Sequence, residues 1–192
     1  MSELSRFQLD VDRAVLVVID IQERLVPAMS EKVYERVRNS VEILAKTAGL
    51  LDLPVVTTEQ YPKGIGHTVA DLAEVCSRGP VVEKVSFGCC GEPSFVETIK
   101  ETGRSQVIIT GMETHVCVYQ TVLGLLQHGF EVQLVKDAVC SRHKEDYLAG
   151  IACAEQAGAV VATTEMVLFQ LLKESTHPAF KAVSAMVKER NR

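Results

Sequence analysis

Apolar runs of strand length alternate with helix-patterned segments along the chain, and this alternation constrains the fold more than any other feature. The run at 14–20, AVLVVID, is almost continuously apolar, which is typical of a strand buried on both faces of a parallel sheet. Further strands are predicted at 54–58, 81–85, 106–111, 131–136 and 159–162. Helical spacing occurs at 30–51 with Ser30 as N-cap, at 93–102, at 116–128, at 143–157, and on both sides of Pro178.

This alternation predicts βαβ units, and therefore an α/β fold built on a parallel sheet with right-handed crossovers. The chain has 192 residues, of which 47% are hydrophobic, so it can bury a substantial core. Its sequence shows no internal repeat, low-complexity segment or linker. We therefore expect one domain that spans residues 1–192.

Charge and hydropathy indicate which kinds of binding partner the protein does not have. The net charge is −5 and the sequence has no basic stripe, so we expect no nucleic-acid partner. The apolar runs are too short to span a bilayer, and residues 1–13 lack the apolar stretch of a signal peptide. These features predict a cytoplasmic protein that has no membrane partner.

The six cysteines are expected to be free thiols in a reducing compartment. The sequence has no CxxC pair, and the fragment Cys140-x-x-His143 is too small a ligand set for a structural zinc site. We expect Cys153 to lie in the core, Cys76 and Cys140 to lie in loops, and Cys89 and Cys90 to line the functional pocket.

Doubly wound sheets bind their ligands beyond the carboxyl ends of the strands. That edge should carry Asp20, Glu59, Lys84, the segment 111–117 and Asp137. Asp20 is the candidate general base, although an acid at this position can also cap a helix or lie in a loop. Lys84 is the candidate cation, with a solvated lysine on an edge strand as the alternative.

Cys117, in TGMETHVCV, lies where a strand becomes a helix. The amides and the dipole at a helix start stabilise a thiolate, and a nearby Lys84 would add to this effect. The same amides can hold an oxyanion. Cys117 is therefore the candidate nucleophile, with an inert buried thiol as the alternative.

The chain lacks residues that several other enzyme classes need. Gln22 stands where an aspartyl phosphatase needs its second acid, and Leu123 stands where a thiol phosphatase needs arginine. Gly64 and Gly66 do not lie at a strand-to-helix turn, so they give only a weak dinucleotide signal. The sequence also has no GxSxG elbow.

The motifs VVIDIQ, VVEKVSF and TGMETHVCV, in this order, resemble those of the isochorismatase-like cysteine hydrolases. The stretches TEQYPKGIGHTV and HPAFK resemble most closely the branch of isochorismatase domain-containing protein 2. The resemblance implies a three-layer, Rossmann-like fold with six parallel strands in the order 3-2-1-4-5-6. It also implies a catalytic triad of Asp20, Lys84 and Cys117.

Further expectations follow from the resemblance. A cis peptide should join Met112 to Glu113, and the N–H groups of Glu113 and Cys117 should form an oxyanion hole. The metal-binding Asp-x-His of nicotinamidases is replaced here by Glu59-Gln60-Tyr61, with only His67 following nearby. We therefore expect no metal, no other cofactor and no nicotinamidase activity. The side chains expected to bind substrate are Gln22, Tyr61, Phe87 and His115.

The function that we predict is hydrolysis of a small amide or related C–N bond through a thioester on Cys117. Two alternatives stay open: isochorismatase-type hydrolysis of a vinyl ether, and a non-catalytic binding protein with this fold. The family also commonly assembles through helices, so we expect a homo-oligomer, with 181–190 as one candidate contact.

Overall fold

Six parallel strands form one sheet in the order β3-β2-β1-β4-β5-β6 in a computed structural model that describes residues 3–190. This order confirms the predicted fold. The strands are β1 Ala14–Ile19, β2 Val55–Gln60, β3 Val81–Lys84, β4 Gln106–Met112, β5 Glu131–Cys140 and β6 Val160–Ala162.

Helices cover both faces of the sheet. They are α1 Glu31–Leu50, α2 Pro62–Ile65, α3 Ala70–Cys76, α4 Pro93–Glu101, α5 Tyr119–Gln127, α6 Lys144–Ala157, α7 Thr164–Leu172 and α8 Phe180–Arg190. Short 3₁₀ turns lie at Glu3–Phe7, Val26–Ala28 and Cys89–Gly91, and a π-helical turn, Thr114–Val118, precedes α5.

The core has two layers because successive side chains of a strand point to opposite faces. From β1, Leu16 and Val18 pack on the layer that contains α1, α3, α7 and α8. Val15, Val17 and Ile19 pack on the layer that contains α4, α5 and α6. β1 is buried along its whole length, so the near-continuous apolar run is explained by two covered faces.

Several local predictions were wrong. α2 and α3 were missed because they are short, and Cys76 ends α3 instead of lying in a loop. β5 continues to Cys140, because its pairing with β4 resumes after a register shift between Ile109 and Gly111. Cys153 lies on the exposed face of α6, not in the core. Ser30 is the N-cap of α1 as predicted, although its side chain makes no capping hydrogen bond.

Two close approaches bring the elements around Cys117 together. Gly111 has φ of 113°, and a Cβ there would lie 2.0 Å from the carbonyl oxygen of Ile19 on β1. A Cβ on Gly150 of α6 would lie 3.0 Å from the Cα of His115. Glycine at these positions lets β1 and α6 pack against the segment that carries Cys117.

Candidate active site

Asp20 follows β1 directly and is fully buried. Its φ of 52° is left-handed, a conformation that is uncommon outside glycine and that aspartate tolerates better than most residues. The Oδ1 atom accepts a hydrogen bond from the Thr58 hydroxyl at 2.7 Å, and Oδ2 accepts one from Lys84 Nζ at 2.7 Å. Both carboxylate oxygens are therefore held in place.

Lys84 ends β3, and its side chain is fully buried although β3 is an edge strand. The alternative of a solvated lysine is therefore wrong. Besides Asp20, its Nζ donates to Gln60 Oε1 at 2.7 Å and to the carbonyls of Phe87 at 3.1 Å and Ser86 at 3.3 Å. Burial lowers the pKa of Lys84, but the charge of Asp20, the nearby Cys89 and Cys117, and the hydrogen bond to Asp20 together raise that pKa overall. Lys84 is thus a fixed cation at neutral pH.

Cys117 lies in the π-helical turn and is 7% exposed. Burial raises the pKa of the Cys117 thiol far above its ordinary value, and the nearby Asp20 carboxylate raises it further. Lys84 lowers this pKa, but its charge is already paired with Asp20. Burial and Asp20 together therefore outweigh the effect of the cation on the Cys117 pKa.

Cys89 lies behind the Asp20–Lys84 pair. It is fully buried, its sulfur is 3.7 Å from the Thr58 hydroxyl, and burial raises its pKa to about 11. Its N–H donates to the Thr121 hydroxyl at 2.9 Å, and that hydroxyl donates to the carbonyl of Cys117 at 2.6 Å. Cys89 therefore links the segment after β3 to Thr121 and does not line an open pocket. The prediction that it lines the functional pocket was wrong.

Cys90 is partly exposed. It lines a cavity of about 440 Å³ together with Phe87, Gly124 and His128. A smaller cavity of about 270 Å³, lined by Tyr61, Lys84 and Val85 among others, lies beside β3. The two cavities share no lining residue and involve the segments that follow β2 and β3.

Gln22 was predicted to bind substrate, and the structure contradicts this. Its side chain is completely buried. The Oε1 atom accepts the N–H of Gln60 at 2.7 Å, while Nε2 donates to the carbonyls of Gln60 at 3.0 Å and Gly66 at 2.6 Å. The carboxamide thus hydrogen-bonds to the main chain at and after the end of β2, and its polar atoms are not free to contact a substrate.

Tyr61 and Phe87 lie on the segments after β2 and β3, with exposures of 53% and 57%. Their role in substrate binding stays a prediction. His115 makes a hydrogen bond of 3.0 Å through Nδ1 to the Ser141 hydroxyl, and its Nε2 lies 3.8 Å from Asp146. Residues two apart on a helix do not face each other, so this geometry argues against a shared role for His115 and Cys117.

The peptide bond between Met112 and Glu113 is cis. The Glu113 carbonyl accepts the N–H groups of Val116 at 3.1 Å and Val118 at 3.2 Å, which lie on either side of Cys117 in sequence. The Glu113 carboxylate pairs with the Arg142 guanidinium at 3.0 Å. These contacts anchor the start of the π-helical turn.

Glu59 and Asp137, the other acids at the sheet edge, make structural contacts. Glu59 Oε2 lies 2.8 Å from His67 Nδ1, and Oε1 accepts the N–H and hydroxyl of Thr68 at 2.6 and 2.8 Å. Asp137 accepts the N–H of Thr164 and pairs with Arg190. Within residues 3–190, no group of three or more His, Cys, Asp or Glu side chains is arranged to hold a metal ion. The same residues contain no helix long and apolar enough to cross a membrane.

The sequence analysis missed two residues of the site, Thr58 and Gln60. They lie two positions apart on β2, so their side chains point to the same face of the sheet. In the register of the sheet, Thr58 pairs with Ile19 and Gln60 pairs with Lys84. The available signal was weaker, because β2 ends in four consecutive polar residues and only the side-chain alternation of a strand separates Thr58 and Gln60 from the other two.

Comparisons with known proteins identify the family and agree with the fold. The model of the isochorismatase domain matches residues 14–166. Isochorismatase domain-containing protein 2A of Mus musculus is 35% identical, over 93% of this chain and 84% of the relative. The structure of the MAR1 ribonuclease from Caenorhabditis elegans has a TM-score of 0.87 and 35% identity, covering 94% of this chain and 92% of that one.

Two bacterial YcaC structures are also similar, each at 25% identity. The Pseudomonas aeruginosa protein, solved with hexane-2,5-diol and covalent acrylamide, has a TM-score of 0.85 and covers 96% of this chain and 98% of its own. The Escherichia coli protein, described as an octameric hydrolase of unknown specificity, has a TM-score of 0.86 with 95% and 90% coverage. Together, the domain match, the relatives and the sheet order establish that this chain belongs to the isochorismatase-like hydrolase family.

Proposed function

We propose that this protein is a cysteine hydrolase that cleaves a small amide or related C–N bond through a thioester on Cys117. The observation that carries the proposal is the buried Asp20–Lys84 ion pair beside the Cys117 thiol. A carboxylate, a fixed cation and a thiol together supply a proton acceptor, a compensating charge and a nucleophile.

Acylation begins with transfer of the Cys117 thiol proton to Asp20. The sulfur attacks the substrate carbonyl carbon, and the resulting oxyanion is held by the N–H groups of Glu113 and Cys117. The C–N bond then breaks as Asp20 returns the proton to the leaving nitrogen. The products of this half-reaction are a free amine and a thioester on Cys117.

Deacylation uses the same carboxylate. Asp20 takes a proton from water, the hydroxide attacks the thioester carbon, and the C–S bond breaks. The proton on Asp20 then passes to the Cys117 sulfur, which restores the resting thiol and releases a carboxylic acid. Asp20 suits this role because Lys84, whose raised pKa keeps it protonated, remains a cation throughout.

Two relatives give further support. The YcaC protein with covalent acrylamide shows that a related protein of this fold can form a covalent bond with a small electrophilic amide. The octameric YcaC protein supports the proposal that this chain also self-associates. Because the Caenorhabditis elegans relative is described as a ribonuclease, RNA should be included among the substrates that are assayed.

The test is a screen of small amides for amine release, with RNA and isochorismate as further substrates. Cys117→Ala should lower kcat on an amide substrate by about 10³-fold or more, because the nucleophile is removed. Cys153→Ala, which changes an exposed cysteine on α6, is the matched control and should retain full activity. Mass spectrometry should find an acyl adduct on Cys117.

Other outcomes point to the alternatives. Full turnover by Cys117→Ala would refute the proposal. Cleavage of isochorismate that is lost in Asp20→Asn but kept in Cys117→Ala would establish vinyl ether hydrolysis. If Cys117 reacts with a mild alkylating agent no faster than the other cysteines, a non-catalytic binding protein is favoured.

A further inference from the structure

Lys84 is a buried ammonium group with more acceptors around it than protons to donate. An ammonium has three N–H bonds, and four oxygens lie within 3.3 Å of Nζ. The two shortest contacts, both 2.7 Å, are to Asp20 and Gln60. Gln60 is therefore the neutral partner that holds the cation most closely.

The orientation of the Gln60 amide is fixed by its other end. Its Nε2 donates to the carbonyl of Val85 at 2.9 Å, while Oε1 accepts from Lys84. The reverse orientation would place the amide NH₂ against an ammonium and the amide oxygen against a carbonyl. The main chain of Gln60 is held in turn by the carboxamide of Gln22, at 2.7 and 3.0 Å.

The neutrality of this partner matters for Cys117. A carboxylate in its place would also accept a hydrogen bond from Lys84, but it would cancel more of the positive charge. Lys84 is the group that lowers the Cys117 pKa against the opposing effects of burial and Asp20. A neutral acceptor holds the ammonium in position and cancels none of the positive charge that acts on the thiol beyond the pairing with Asp20.

We infer that Gln60 is a positioning residue, which fixes the Lys84 ammonium and preserves its charge for ionisation of Cys117. Gln60 also ties Lys84 to the segment after β3, because Val85, Ser86 and Phe87 contribute the carbonyls around this pair. The inference deepens the proposed function and rests on it for the reactivity of the thiol.

The first test observes Lys84 directly and needs no substrate. In ¹⁵N-lysine-labelled protein, the saturated Lys84 ammonium should give an NMR signal that exchanges slowly with water. Gln60→Met has a similar length but no oxygen acceptor, so its ammonium protons should exchange about tenfold faster, since a hydrogen bond to a charged group is lost. An unchanged exchange rate and chemical shift in Gln60→Met would overturn the inference.

The second test measures the rate of acrylamide addition to Cys117 between pH 6 and 10 by mass spectrometry of the Cys117 peptide. Gln60→Glu adds a negative charge and should slow alkylation about tenfold at each pH in this range, the change expected for a rise of about one unit in the thiol pKa. Gln60→Met should give a smaller slowing, of about threefold. Gln127→Glu, on the exposed end of α5, is the charge-matched control and should leave the profile unchanged.

The two tests separate this inference from the proposed function. A general folding defect would not produce the graded order wild type, Gln60→Met, Gln60→Glu in a pH profile. If wild-type Cys117 is reactive and neither variant shifts the profile, the positioning role is refuted and the proposed function stands. If wild-type Cys117 is unreactive but Lys84 exchange responds to Gln60→Met, the proposed function fails and the hold on Lys84 is supported.

Discussion

At the scale of the residue, the Asp20–Lys84 pair combines two charges with fully buried side chains. Removing charges from water is costly, and the cost is offset here by the ion pair and by hydrogen bonds from Thr58 and to Gln60. Each partner therefore depends on the other. An apolar pair of equal volume would not carry this cost in stability, which the proposed function explains by the need for a proton acceptor and a cation.

Lys84→Met should lower the free energy of unfolding by about 3–5 kcal/mol, because it leaves the Asp20 carboxylate buried without its cation. The double variant Lys84→Met with Asp20→Asn should recover much of this loss. Urea unfolding at pH 7 measures both. Lys32→Met, on the exposed face of α1, is the control. Equal losses in the single and double variants would contradict the interpretation.

Much of the site could be predicted at this scale. Asp20, Lys84 and Cys117 were identified from their positions at strand ends and at a helix start, which depend only on periodicity. The ionisation of Cys117 could not be predicted, because it depends on how completely the thiol is buried. Gln22 was wrongly predicted to bind substrate. The left-handed conformation of Asp20 after β1 directs the Gln22 side chain toward β2, and the spacing of the two residues in sequence does not reveal this turn.

At the scale of the element, the segment from Tyr61 to Thr68 is attached to the end of β2 by two side chains. Gln22 holds Gly66, and Glu59 holds His67 and Thr68. An isolated bridge between Gln22 and Thr68 adds a further link. The strands were predictable from buried apolar runs, whereas this segment, with α2 and α3, depends on long-range polar contacts that local periodicity does not reveal.

The Glu59–His67 contact should make this attachment depend on pH. Hydrogen bonding to Glu59 raises the pKa of His67 above its ordinary value of 6.5. Burial raises the pKa of Glu59, but hydrogen bonds from Thr68 and His67 outweigh it and lower that pKa below 4.5. Stabilisation by charged His67 is fully present below pH 6.5 and is lost as pH rises through the higher folded value. The Glu59 contribution is present above pH 4.5 and is lost as pH falls through its lower value.

NMR titration of the His67 ring should therefore give a pKa above 6.5 in the wild type, and Glu59→Gln should return it toward 6.5. Glu35→Gln, on the exposed face of α1, is the control and should leave the His67 titration unchanged. A wild-type His67 that titrates at or below 6.5 would show that the contact does not persist in solution.

At the scale of the whole molecule, the proposed chemistry lies at the carboxyl ends of the strands, and self-association is a separate prediction. α8 was considered as a contact between copies. The structure shows that Val183 and Val187 are buried on the core of the same chain and that Arg190 pairs with Asp137. One face of α8 thus completes its own domain, and any contact with another copy must use its remaining surface.

Self-association can be measured without knowledge of the interface. Light scattering coupled to size-exclusion chromatography should give a mass that is an integral multiple, of at least two, of the 21.0 kDa chain. The measured mass should stay constant over a hundredfold range of protein concentration if the assembly is stable. A constant mass of one chain would refute the proposed self-association.

The cation of the proposed site comes from β3, a four-residue edge strand whose pairing with β2 sets Lys84 opposite Gln60. Because side chains alternate along a strand, a slip of one residue would turn Lys84 outward and bring Glu83 or Val85 inward. An insertion or deletion within β3 itself would be inherited only if a compensating change restored the phase of the strand.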